Sequence, residues 1–188
     1  MAQNKYRTEL VGLYHFAEEL AKLGYLPLLT TRNAKGIDMV VSNATGSKSL
    51  TFQVKTIQLE DEKQDSFPVF SAPSDDSKSH VKSWKDMLYR IRESIQPSET
   101  KWWAFIPVKN LKVGRYYLVP SKDVNKIART KTKDYLKIKK GKITGLVKKG
   151  KKKGQPYTWG SAGVIGLYIE DLKPYGNGLT QIKRLLRR

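Results

Sequence analysis

Apolar residues recur at helical spacing across residues 7–23: Leu10, Leu13, Tyr14, Ala17, Leu20 and Ala21, with Leu23 just before the stop. That rhythm predicts a helix with one buried stripe, and Gly24 supplies its C-terminal signal. The pattern then shortens to the two-residue period of strands. Residues 25–31 form an extended run whose Pro27 favours a sheet edge. Residues 37–42 and 50–57 read as two strands of a hairpin, with turn chemistry before them at 33–36 and between them at 44–47. Residues 58–80 are polar, carry the acidic cluster Glu60, Asp61, Glu62 and Asp65, and predict a loop with a short strand at 67–70. Trp84, Met87, Leu88, Ile91 and Ile95 restore the helical period. Residues 102–108 and 115–120 predict a strand pair joined by a turn at 110–114, and Ser121 is placed to cap a helix running to about Ala128. A strand at 163–169 and a basic amphipathic helix ending at Arg188 close the chain. The order predicts one mixed α/β domain over residues 1–188 with a central sheet flanked by helices.

Charge changes the picture of the second half. The chain's 36 Lys and Arg outnumber its 17 Asp and Glu, a net charge of +19 in 188 residues. Residues 129–153 hold Arg129 and eleven lysines against one acid, Asp134, a net of +11, punctuated by Gly141, Gly145 and Gly150. This insertion or arm, at about 129–158, predicts either a basic hairpin or a flexible basic segment. Such a surface calls for an acidic partner, nucleic acid before an anionic membrane. The expected nucleic-acid contacts are Arg32, Lys139, Lys140, Lys148, Lys149, Lys151, Lys152 and Lys153. They would track phosphates through counterion release and carry no sequence preference.

The absence of cysteine excludes disulfide scaffolds, thiolate zinc sites and cysteine nucleophiles, and fits a cytoplasmic setting. Two histidines exclude multi-histidine metal chemistry. No signal-peptide pattern opens the chain and no apolar run is long enough to span a bilayer, so no membrane role is expected.

One constellation can carry chemistry. Asp38 stands at the start of one predicted strand, and Gln53 and Lys55 stand two apart on the next, so alternation puts the last two on one face. If these strands pair, Asp38 lies beside them. A carboxylate with an amide or backbone oxygen can hold Mg²⁺ or Mn²⁺, and a neighbouring lysine can orient water or steady charge on a phosphate.

The run Gly36-Ile37-Asp38, followed by Phe52-Gln53-Val54-Lys55-Thr56 after a helix and hairpin, resembles the PD-(D/E)XK nuclease superfamily in its variant with Gln in place of the middle acid. The opening helix from Gly12, the strand pair containing Trp102 and Tyr116, and the closing Lys173-Pro-Tyr look similar to segments of its small members. The resemblance implies a restriction-endonuclease-like α-β-β-β-α-β core, here with a basic C-terminal extension. It also implies DNA as partner, divalent-metal-dependent endonuclease activity, and Asp38, Gln53 and Lys55 as catalytic residues. A homodimer fits, since cutting a duplex often takes two active sites. Such members often carry a metal-binding Glu directly after the helix glycine; this chain has Leu13 there, and Glu9, one turn earlier, is the candidate substitute beside Asp38 and Gln53. The alternative is the same fold without catalysis, serving as a DNA- or RNA-binding module or as a subunit of a larger complex. A small protein bound to ribosomal RNA is a third reading.

Overall fold

The computed structural model describes residues 2–30, 36–59, 66–71, 84–139, 142–143 and 164–187. Arg32, Lys140, Lys148, Lys149, Lys151, Lys152 and Lys153 lie outside them, as do the acidic cluster at 60–65 and most of the 129–158 insertion.

Among the described residues the chain runs α1 (Ala2–Lys22), β1 (Leu26–Leu29), β2 (Met39–Ser42), β3 (Ser49–Gln58), β4 (Ser66–Ser71), α2 (Trp84–Ser94), β5 (Lys101–Lys109), β6 (Lys112–Val113), β7 (Tyr117–Pro120) and α3 (Ser121–Leu136). It continues through β8 (Ile138–Lys139), β9 (Lys142–Ile143), β10 (Val164–Tyr168), α4 (Ile169–Leu172), a 3₁₀ turn at Lys173–Tyr175 and α5 (Gly178–Leu186). The fold is mixed α/β, built on a six-stranded mixed sheet in the order β1-β2-β3-β5-β6, with β7 also paired to β5. No helix among the described residues is long and apolar enough to cross a membrane.

Two compact units emerge. The first gathers Met1–Phe67, Pro97–Ser121 and Tyr168–Arg188; the second gathers Pro68–Gln96 and Lys122–Leu167.

In the first unit, α1 ends as its sequence predicts. Gly24 adopts a φ of 82°, and the N–H groups of Gly24 and Tyr25 donate back to Ala21 and Leu20, a Schellman closure that only glycine enters at no steric cost. The helix begins earlier than predicted, at Ala2, because residues 2–5 have no apolar period yet contain nothing that breaks a helix. Its stripe packs on one sheet face: Phe16 and Leu20 join Met39, Val41, Leu50 and Phe52, and the Phe16 and Phe52 rings meet edge-on at 5.4 Å. Ile182 and Leu186 of α5 enter the same core beside Leu118.

The hairpin β2–β3 forms antiparallel in the register Met39 to Phe52, and β1 takes the sheet edge that Pro27 foretold. Strand β5 then adds to β3 in parallel, from Thr51 beside Lys101 to Gln58 beside Val108. Every residue from Trp102 to Val108 is buried, as in a central strand covered on both faces. On the face away from α1, Phe105 stacks on Trp103 at 5.9 Å and meets Phe67 at 5.1 Å. Trp102 and Trp103 are both buried packing residues.

Beyond β5 the structure departs from the predicted turn at 110–114. The strand turns at once, through Asn110 and Leu111, into β6. Ile106 and Pro107 then face three residues, Gly114, Arg115 and Tyr116, before pairing resumes at Phe105 and Tyr117. Pro107 has no N–H to give, so the ladder loosens there and the opposite strand bulges. Tyr116, the last bulge residue, shares a hydrogen bond with His15 Nδ1 on α1. Burial raises the Tyr116 phenol well above the usual tyrosine range, with Glu19 and Glu18 adding to the effect, so the hydroxyl stays protonated.

The turn itself is strained. Asn110 and Leu111 have φ of 51° and 59°, the mirror-image turn geometry that asparagine tolerates and leucine does not. Left-handed geometry costs a residue with Cβ roughly 1–2 kcal/mol. Glycine would return part of that gain through unfolded-chain entropy, so Leu111→Gly is expected to stabilise by about 0.5–1 kcal/mol, read as a higher urea midpoint at unchanged slope.

In the second unit, α3 runs two turns past the predicted end at Ala128. Val124, Ala128 and Thr132 are buried at i, i+4 and i+8, and the Thr132 hydroxyl donates to the Ala128 carbonyl at 2.8 Å. A threonine in the stripe hid the period from the sequence. Asn125 Nδ2 donates to the Ile95 carbonyl at 2.9 Å, tying α3 to the end of α2. After α3 a short antiparallel pair follows, Ile138 with Ile143 and Lys139 with Lys142.

Candidate functional site

The first unit brings Asp38, Gln53 and Lys55 to the same stretch of sheet. Asp38 lies one residue ahead of β2 and is held at three atoms. Its N–H donates to the Phe52 carbonyl at 2.8 Å, its carbonyl accepts from the Thr30 N–H at 3.1 Å, and its Oδ2 accepts from the Val54 N–H at 2.7 Å. The Thr30 hydroxyl also donates to the Ile37 carbonyl and closes the entry to the strand. One carboxylate oxygen is thereby spent on β3, and the group is fixed in orientation with its second oxygen uncommitted to that bond.

Val54 packs into the α1-side core. Pleating therefore sends its neighbours Gln53 and Lys55 to the opposite face, where both are half-buried. The parallel register places Lys101 beside Thr51, on the face shared by Gln53. Gly36, at a φ of 72°, passes closely over these head groups. A methyl placed on it would lie 3.2 Å from Lys101 Nζ and 3.8 Å from Gln53 Oε1. The site so assembled contains Asp38, Gln53 and Lys101, closed on one side by the backbone of Gly36, with Lys55 on the same face of β3.

Lys101 was not singled out in the sequence. A lysine opening an apolar strand reads as a solvated end, and only the parallel pairing of β5 with β3, two elements far apart in the chain, brings it to Asp38. Burial pushes its ammonium below the ordinary value of 10.5, and the negative charge of Asp38 works in the other direction. The linkage has a definite sign. Below the depressed pKa both states are protonated and the folded chain carries the full cost of a half-buried charge. Between that value and the ordinary one, the unfolded chain binds the extra proton, so stability rises with pH across this alkaline window. Urea midpoints should climb there in the wild type and stay flatter in Lys101→Met.

Glu9 is not brought to this site. Thr8 donates its hydroxyl to Gln58, Gly12 rests on Thr56 and Phe16 meets Phe52, so α1 covers the face opposite Gln53 and Lys55. Glu9 is exposed on that helix, and Leu13 packs against the core. Among the described residues no three acidic or histidine side chains gather as a metal cage. No family model and no curated protein matches the chain.

The donor set suits a hard cation only in part. Asp38 offers one carboxylate oxygen and Gln53 an amide oxygen. Mg²⁺ accepts such a site because it keeps several waters and commonly takes one or two carboxylates plus a substrate phosphate. Of the proposed nucleic-acid contacts, Lys139 alone falls within the described residues, in β8.

Proposed function

We propose that the chain binds nucleic acid, most directly DNA, and hydrolyses its phosphodiester bonds at the Asp38 site with a divalent metal ion. The observation that carries this reading is the gathering of a carboxylate oriented by the Val54 N–H, an amide oxygen and the Lys101 ammonium on one patch of sheet, with Lys55 on the same face. Such a patch offers both a cation seat and positive charge for a phosphate. The order of α1, β1 to β3, α2 and β5 supports a restriction-endonuclease-like core with β4 inserted.

In this reading Asp38 and Gln53 hold Mg²⁺ or Mn²⁺. When bound, the ion polarises the phosphate and lowers the pKa of attacking water. Lys55 orients that water. Lys101 carries charge toward a non-bridging phosphate oxygen, where a half-buried ammonium acts more strongly than an exposed one. The net charge of +19 draws the polyanion to the surface.

The test is cleavage of supercoiled plasmid, single strands and branched DNA with Mg²⁺ or Mn²⁺, wild type beside Lys55→Ala. Cleavage by the wild type alone supports the reading. A second reading, binding without cleavage, is favoured by the single carboxylate and by the placement of Glu9 across the sheet. Salt-dependent DNA binding with no cut product under either metal would establish it in place of the first.

A further inference from the structure

The tip of the β5–β6 hairpin breaks three local rules at once. Leu111 sits at a left-handed φ of 59° where glycine is the usual choice. It is also 51% exposed, an apolar side chain held out into solvent at the end of a hairpin. Behind it, Lys109 and Lys112 face each other directly across the ladder, an arrangement of like charges that weakens strand pairing. Arg115, on the bulge, adds a third cation. At the base of the hairpin lies a mostly apolar groove of about 500 Å³, lined by Leu59, Pro107 and Ile169 with Lys109, Lys112 and Arg115 among its other walls. Strain and unfavourable pairing concentrated in one exposed turn mark a place that serves something other than stability.

The pattern also names the chemistry of the partner. An apolar point ringed by cations would strand its lysines if it were buried in another protein's apolar surface. It matches a base step, which is apolar between the rings and flanked on both sides by phosphates. Apolar side chains do enter such steps, unstacking them while neighbouring cations hold the backbone.

We infer that the hairpin tip is a nucleic-acid wedge: Leu111 inserts at a weakened base step, and Lys109, Lys112 and Arg115 hold the flanking phosphates. The inference deepens the nucleic-acid reading and is independent of the Asp38 chemistry. It assigns the protein a preference for DNA whose stacking is already interrupted, at a mismatch, nick or branch point, where insertion costs least.

The experiment uses the full chain in EDTA, so that cleavage plays no part. The probe is a duplex with 2-aminopurine beside a single mismatch, with binding followed by anisotropy of an end label. Wild-type binding should raise 2-aminopurine fluorescence. At saturating protein, Leu111→Gly should lose most of that rise, while unfolding at a higher urea concentration than the wild type. The opposite signs separate loss of the wedge from loss of the fold. Lys109→Gln with Lys112→Gln should lower the slope of log affinity against log salt by about two. An equal fluorescence rise in Leu111→Gly would overturn the inference, as would wild-type binding without any rise. No DNA binding at all would overturn it together with the nucleic-acid reading, whereas absence of cleavage under metal would leave it standing.

Discussion

Replacing Asp38 with asparagine is expected to abolish metal-dependent cleavage, by at least about 10²-fold, while leaving the fold intact. The two effects separate because the carboxylate has two oxygens with different duties. Oδ2 accepts the Val54 N–H at 2.7 Å, and an asparagine carbonyl can accept the same bond. The backbone bonds to Phe52 and Thr30 do not involve the side chain. What asparagine removes is the negative charge that would hold a cation in the proposed reaction and that opposes the burial effect on Lys101. DNA binding without metal should therefore hold or strengthen in Asp38→Asn as cleavage disappears. Plasmid nicking and anisotropy on the same preparation check both directions. Retained cleavage would refute a catalytic role for this patch, and loss of the folded state would show that the carboxylate is structural.

Gly12→Ala should lower stability by about 2 kcal/mol, although alanine is the better helix former. A glycine inside a helix costs about 1 kcal/mol relative to alanine, and here it allows α1 to lie directly on β3. An added Cβ would stand 2.3 Å from Thr56 Oγ1 and 2.7 Å from its Cγ2. Relief requires the helix to lift, which would also loosen Thr8 from Gln58 and Phe16 from Phe52 on the same stripe. Overpacking of this kind typically costs 1–3 kcal/mol. For a chain of this size 2 kcal/mol corresponds to a melting temperature lower by about 4–8 °C. Thr56→Ala removes the two nearest atoms, so the double variant Gly12→Ala with Thr56→Ala should recover most of the loss. A simple sum of the two single effects would show that the contact is not the cause.

Most of the elements in the first unit were legible because their signals are local. The stripe through Leu10, Leu13 and Leu20, the stop at Gly24 and the alternation through β2 and β3 each depend on neighbours within a few residues; the buried edge of that stripe is Phe16 in place of Tyr14, which is exposed. The same holds for Gln53 and Lys55, whose shared face follows from spacing alone. Lys101 could not be found this way, since its place beside Thr51 depends on a parallel pairing with no local signature. The turn at Asn110 and Leu111 falls inside the predicted span 110–114, but its tightness was hidden because leucine at a left-handed φ contradicts the usual turn chemistry. The extra turns of α3 were hidden by Thr132, a polar residue in a buried position. Glu9 was placed as a substitute ligand on helical spacing, which fixes where a residue lies on its helix but not which side of a sheet the helix will cover.

The division of the chain into two interleaved units bears on how the protein can be made and handled. The polypeptide passes from one unit to the other after Phe67, Gln96, Ser121 and Leu167. No single cut yields either unit as a contiguous fragment, and truncation at any of these points leaves the first unit incomplete. Pairing β3 with β5 also requires residues 59–100 to close as a loop, an entropic cost of about 3 kcal/mol beyond the constant for closure. The central strand therefore joins the sheet late, after the β2–β3 hairpin has formed from its own neighbours. Until it does, Lys101 is away from Asp38, and the site stays incomplete until two distant stretches of chain have met.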